Sequence, residues 1–151
     1  MSRSNFRTIV IAIDFSPASK TVLARGLDLA KRLGAHAEVV YTTPRLQPSL
    51  PFHRTNRSAV TKLQQEEVIS ARKALAERVA ECDPPVGARV RIGVAHKEIL
   101  AHAKEKGAGL IVIGKRGQNL GESLLIGSTA DRVLRKAPVP VVVVPTPLHR
   151  S

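Results

Sequence analysis

The chain has 151 residues, one cysteine and a formal net charge of +12 at pH 7, with 43% apolar but only 3% aromatic residues. That length suits a single domain, 1–151, a lone cysteine excludes an intramolecular disulfide, and no apolar run approaches the roughly 18 residues that a membrane-spanning helix needs. The charge invites an anionic partner, yet the basic residues are scattered through every segment and few aromatics exist to stack on bases. Nucleic-acid binding is therefore less favoured than a solvated basic surface.

Residues Met1 to Phe6 hold no apolar leader, so a cytoplasmic location is expected. Thr8 to Ile13 is an unbroken β-branched and aliphatic run, the pattern of a buried strand. It ends at Asp14-Phe15-Ser16-Pro17, where Ser16 reads as an N-cap and Pro17 as the first helical residue. Val22, Leu23, Leu27, Ala30 and Leu33 then recur at helical spacing, and Gly34 is placed to stop that helix. A second strand is expected from about Ala37 to Thr43. Strand, helix and strand with such short joints imply a right-handed parallel unit.

Pro44, Pro48 and Pro51 break the pattern, and residues from about 44 to 57 read as a mobile insertion, or else as a lid. A long helix follows, roughly Ser58 to Glu81, with Val60, Leu63, Val68, Leu75 and Val79 on or near one face; Pro84-Pro85 ends it. From about Ala88 to Val94, Val90, Ile92 and Val94 alternate with Arg89, Arg91 and Gly93, as in a half-exposed edge strand. His96 to Lys106 forms a helix with Ile99, Leu100 and Ala103 inward. Leu110 to Ile113 is a fourth strand, Ser128 to about Lys136 a short basic helix, and Val139 to Val144 a last strand. Strands that alternate with helices in this way fold as a doubly wound α/β sheet, with helices on both faces and the ligand at the carboxyl ends of the strands.

Three segments converge on that edge: Asp14 after the first strand, Gly114 to Gly117 after the fourth, and the helix start at Gly127. A strand that ends in glycine lets a ligand approach the backbone closely, and a helix opening with Gly127-Ser128-Thr129 offers unpaired N–H groups to an anion. Phosphate is thus the first ligand to consider, with a nucleotide as its carrier. The glycines match neither the Walker A loop nor the dinucleotide fingerprint. Ser128 either caps its own helix or donates to a phosphate oxygen, and Thr129 adds a second hydroxyl. Arg116 either neutralises phosphate charge or, like Lys115, points into water. The five histidines lack paired metal spacing, and Cys82 has no base beside it in the sequence.

Gly114-x-x-Gly117, nine further residues and Gly127-Ser128 resemble the ATP-binding motif of the universal stress protein family. The blocks Ile9 to Ser16, Leu110 to Gly114, Gly127 to Ala130 and Ala137 to Val141 are similar to that family in the same order. The resemblance implies a Rossmann-like sheet of order 3-2-1-4-5, of the adenine nucleotide alpha hydrolase-like kind. It implies ATP at the carboxyl edge, with Ala12 and Ile13 lining the base, and Asp14 near the ribose hydroxyls or a bound magnesium or manganese ion. Thr42 would meet the adenine edge. Ile113 belongs to the same wall, Gly114 would admit the ribose, and Gly117, Gly127, Ser128 and Thr129 would cradle the phosphates. A homodimer through the last strand, Val141 to Val144, is also implied. The chain departs from the family at Gly109, where an acid is usual, and at Thr42, where an aliphatic residue is usual.

Together these readings point to a nucleotide-binding regulatory or stress-response protein that signals through conformation or an unidentified protein partner. A slow ATPase or a phosphoryl or nucleotidyl transferase is one alternative, and a nucleic-acid-binding protein that uses the basic surface is the other. Asp14 and Asp131 are acids near the glycine turn, and neither has a sequence context that marks a general base.

Overall fold

In the computed structural model, which describes residues 6–47, 57–115 and 126–146, strands and helices alternate throughout. The elements are β1 (Thr8–Ile13), α1 (Ser19–Leu33), β2 (His36–Thr43), α2 (Arg57–Val79), β3 (Gly87–Ile92), α3 (Ala95–Glu105), β4 (Leu110–Gly114), α4 (Ser128–Lys136) and β5 (Val141–Val144). The strands form one parallel sheet of order β3-β2-β1-β4-β5. This is the expected Rossmann-like architecture, with its reversal between β1 and β4.

The register fixes which side chains meet. Ile11 lies opposite Val39 on one side and Val112 on the other, and alternate residues of each strand enter opposite layers. Ile9, Ile11, Val39 and Val112 pack with α1 and α2, while Val10, Ala12, Val40 and Ile111 pack with α3 and α4. Burial on both faces explains why these strands read as continuous aliphatic runs. Each such side chain contributes about 1.5–3 kcal/mol when fully buried.

Helix α1 ends as the sequence implies. Gly34 adopts a left-handed conformation, with φ 62°, and Ala35 N–H donates to Ala30 O at 2.8 Å. Its start differs. Ser16 is no cap; Asp14 Oδ1 accepts the Ser16 N–H at 2.9 Å, a turn forms, and the helix begins at Ser19. In α2, Ala71 and Leu75 are buried, but Leu63 is 55% exposed, against the expected apolar face. Val94 also leaves the expected strand and is half exposed at the start of α3.

Part of the presumed insertion is held in place. Leu46 N–H donates to Gln64 Oε1 at 2.7 Å, and Gln64 Nε2 donates to Pro44 O, so residues 44–47 are tied to α2. Residues 48–56, the rest of that segment but for Arg57, lie outside the described residues. No helix among the described residues is long and apolar enough to cross a membrane.

Candidate functional site

Every strand in a parallel sheet points its carboxyl end the same way, so the ends of β1, β2 and β4 meet on one edge. There, with the starts of α1, α3 and α4, they line a cleft of about 300 Å³, within the range of small-ligand sites. Of the residues singled out from the sequence, Ala12, Ile13, Asp14, Thr42, Ile113, Gly114, Gly127, Ser128 and Thr129 all line it. Arg116 and Gly117 lie outside the described residues.

The walls follow from the elements. Ala12 and Ile13 end β1, and Ile113 and Gly114 end β4 beside it, so small and aliphatic groups form the floor. Val40 and Thr42 on β2 form one flank against Ala95 and Ile99 on α3. Ser19 and Val22 on α1 and Ala130 on α4 close the remainder. Three helices, α1, α3 and α4, open their first turns onto the cleft, and each brings the positive end of its dipole.

The donor groups at α4 are specific. Gly127 is its N-cap and the N–H of Gly127 is already spent on Lys115 O at 2.7 Å. Asp131 N–H takes the first intrahelical bond, to Gly127 O. The N–H groups of Ser128, Thr129 and Ala130 therefore belong to the turn that has no intrahelical acceptors. Gly127 contributes small size and an extended turn at φ −69°, ψ 155°, not a donor. Ser128 does not cap the helix with its side chain; it is exposed in the cleft mouth, with Thr129 half-buried behind it.

Two residues that line the cleft carry unpaired hydroxyls. Ser16 Oγ and Thr42 Oγ1 are buried and make no hydrogen bond among the described residues, although such hydroxyls are almost always paired in folded proteins. Asp14 and Lys115 are the only charged residues lining the cleft among the described residues. Lys115 is fixed through its backbone, its N–H to Val144 O at 2.8 Å and its O to Gly127. Asp14 Oδ1 accepts from Ser16, and among the described residues Oδ2 has no hydrogen-bond partner. Beside it, burial first, then the Glu67 and Asp14 carboxylates, push the Tyr41 hydroxyl above its ordinary pKa, so it stays neutral. Asp131, a further acid near the glycine turn, faces Arg135 at 3.1 Å and does not line the cleft.

Sequence reasoning missed Ser16 as a cleft residue, along with Ser19, Val40, Ala95, Ile99, Lys115 and Ala130. Ser19 carried a signal: a buried hydroxyl in a first helical turn, here donating to Ser16 O at 2.7 Å and accepting from Arg78 Nη1 at 2.9 Å. The aliphatic members carried none. Among the described residues, no group of three or more His, Cys, Asp and Glu side chains could hold a metal ion.

Residues 5–145 match the family model for the universal stress protein family. Universal stress protein YxiE of Bacillus subtilis is 31% identical over 150 residues, covering 92% of this chain and 99% of that protein. Among solved structures, a universal stress protein from Lactobacillus plantarum superposes with a TM-score of 0.81 at 22% identity, covering 94% of this chain and 99% of that one. The universal stress protein from Archaeoglobus fulgidus in complex with dAMP superposes at 0.61 with 25% identity, covering 92% and 98%. Matched along nearly its whole length, the chain belongs to the universal stress protein family.

Proposed function

We propose that the protein is an adenine-nucleotide-binding regulator of the stress response, with ATP as its ligand. The observation that carries this reading is the convergence of two strand ends and three helix first turns on one cleft, two of whose lining residues carry hydroxyls without partners among the described residues. Such a cleft favours a ligand with an apolar base, hydroxyls and an anionic tail. The Archaeoglobus relative in complex with dAMP supports an adenine nucleotide in particular.

In this reading Ala12, Ile13 and Ile113 pack against the base and Thr42 meets its edge. Asp14 Oδ2 takes the ribose, Gly114 gives it room, and the first-turn N–H groups of α4 take the phosphates, with Thr129 and Ser128 adding hydroxyls. Arg116 and Gly117 complete the phosphate side. A magnesium or manganese ion fits only as a companion of the phosphates, because Asp14 is the sole carboxylate lining the cleft among the described residues. Bound nucleotide would bias the conformation seen by a protein partner.

Titration with ATP and magnesium, followed by thermal shift and calorimetry, tests the reading, because a ligand of the folded state alone raises its apparent stability. Gly127→Val is the decisive variant. Its backbone angles suit any residue, so the fold should persist while the added side chain fills the cleft and lowers ATP affinity at least tenfold, about 1.4 kcal/mol. Unchanged affinity in a folded Gly127→Val chain would overturn the site.

A further inference from the structure

We propose that His102 and Glu38 form a positioning pair that sets the β2–α3 wall of the cleft, and that protonation of His102 weakens nucleotide binding. The inference rests on the nucleotide reading above.

His102 on α3 is 0% exposed, and neither ring nitrogen has a hydrogen-bond partner among the described residues. Its Nε2 lies 4.0 Å from Glu38 Oε2, too far for a hydrogen bond and close enough for charge to be felt. Glu38 is itself buried in β2. Its Oε1 lies 2.9 Å from His36 Nε2 and 3.9 Å from Lys106 Nζ. The carboxylate rests on Gly87 of β3 so closely that a Cβ there would overlap it. Glu38 has no room to retreat toward β3.

The pair lies on the seam that leads to the cleft. Glu38, Val40 and Thr42 share one face of β2 by strand alternation, and the last two line the cleft. On α3, Ile99 is one turn from His102 and Ala95 about one turn beyond, and both line the opposite flank. Val40, Ile99 and Ala103 pack in one buried cluster between them. A change of spacing at the polar end of this seam reaches the cleft through two packed elements.

The groups that face His102 are Glu38 from β2, with His36 behind it, Arg91 from β3, and Lys106 and Glu105 from α3. Arg91 is itself bound to Glu98 at 2.7 Å and to Glu105 at 2.9 Å. Burial above all, then Arg91, holds the His102 pKa below its ordinary value; Glu38 pulls the other way and Lys106 adds to the lowering. The imidazole is thus neutral near pH 7. A proton placed on it requires an acceptor: either Glu38 is drawn across the 4.0 Å gap, or the seam opens to water. Both displace Val40 and Thr42 relative to Ile99. Because the folded-state pKa is depressed, the intact seam is fully favoured above the unfolded value, about 6.5, and loses ground as pH falls below it.

The test uses the whole chain and two ligands, Mg-ATP and adenosine, the latter free of titrating phosphates. Between about pH 7.5 and about pH 5 both should bind about 3- to 5-fold more weakly to the native chain, at the low end of the usual size of such coupling. His102→Gln should change by less than about twofold over the same range, whereas His96→Gln, at the other buried histidine of α3, should keep the native profile. A measurement that needs no variant accompanies it: saturating adenosine should lower the pKa of His102 followed by NMR of its ring protons. Parallel weakening in native and His102→Gln chains, or a His102 titration that ligand leaves unmoved, would overturn the inference alone. Absence of binding at the higher pH would overturn the nucleotide reading and the inference with it.

Discussion

At Gly26 a Cβ would lie 2.6 Å from Ile11 Cδ1 and 2.7 Å from its Cγ1, and Ile11 is fully enclosed between layers. Two effects oppose one another there. Alanine in place of glycine gains about 1 kcal/mol of helix propensity, while overpacking a filled core costs about 1–3 kcal/mol. Three atoms of a buried, β-branched Ile11 crowd the added carbon, so one rotation cannot clear it and the second effect wins. Gly26→Ala should lower the urea midpoint at constant slope, a net loss of about 1 kcal/mol; a raised midpoint would show that the β1–α1 contact is looser than its geometry. The same scale shows where sequence reading stops. Ser16-Pro17 carries the usual marks of a helix start, but Asp14 takes the Ser16 N–H first and the helix waits until Ser19. Rules for single residues do not weigh neighbours competing for one donor. Nor does a glycine pattern disclose that Gly127 N–H is consumed by Lys115 O, a contact between residues far apart in the chain. Val40, Ile99 and Ala130 are aliphatic, so nothing distinguishes them from ordinary core until the fold gathers them at the cleft.

Whole elements were legible to the degree that they are buried. The inner strands β1, β2 and β4 announced themselves because both of their faces are covered, and the expected order of the sheet is observed. Helix α2 misled because only part of it meets the sheet. Thr43, the last residue of β2, donates its hydroxyl to Glu67 Oε1 at 2.7 Å, so the turns before Glu67 run on past the strand end. Leu63 lies there, largely exposed, and Ile69 faces away from the sheet at 65% exposure. The Thr43–Glu67 bond therefore aligns α2 against β2, one strand position from Thr42 in the cleft. Thr43 is 0% exposed, and removal of its acceptor leaves a buried hydroxyl unpaired at a cost of about 1–3 kcal/mol. Glu67→Ala should lose about that much in urea or thermal unfolding. Thr43→Val combined with it should cost less than the two single changes added together. Strict additivity would mean that the bond contributes nothing and that α2 is aligned by Ala71 and Leu75 alone.

At the scale of the molecule, the two edges of the sheet are protected unequally. The β3 edge carries Arg89 and Arg91, and Arg91 is tied into carboxylates of α3. Charge of this kind discourages strand addition. Among the described residues the β5 edge has no such guard: Val141, Val142 and Val143 are half-buried aliphatic residues in sequence. Register decides which of them could bind a second copy. Ile111 N–H donates to Pro140 O and Lys115 N–H to Val144 O, so residues 140, 142 and 144 turn their polar backbone toward β4. Val141 and Val143 then turn theirs outward, toward an added strand. A homodimer formed through β5 would use those outward groups, and proline at an outward position removes one of them while sparing the bonds to β4. Val143→Pro should convert a dimer to a monomer in sedimentation or light scattering, with a urea midpoint close to native. Val142→Pro should instead damage the sheet itself, since the lost N–H faces β4. A Val143→Pro chain that remains dimeric would place the contact elsewhere, and a native chain that is monomeric at micromolar concentration would leave the bare β5 edge in need of another explanation.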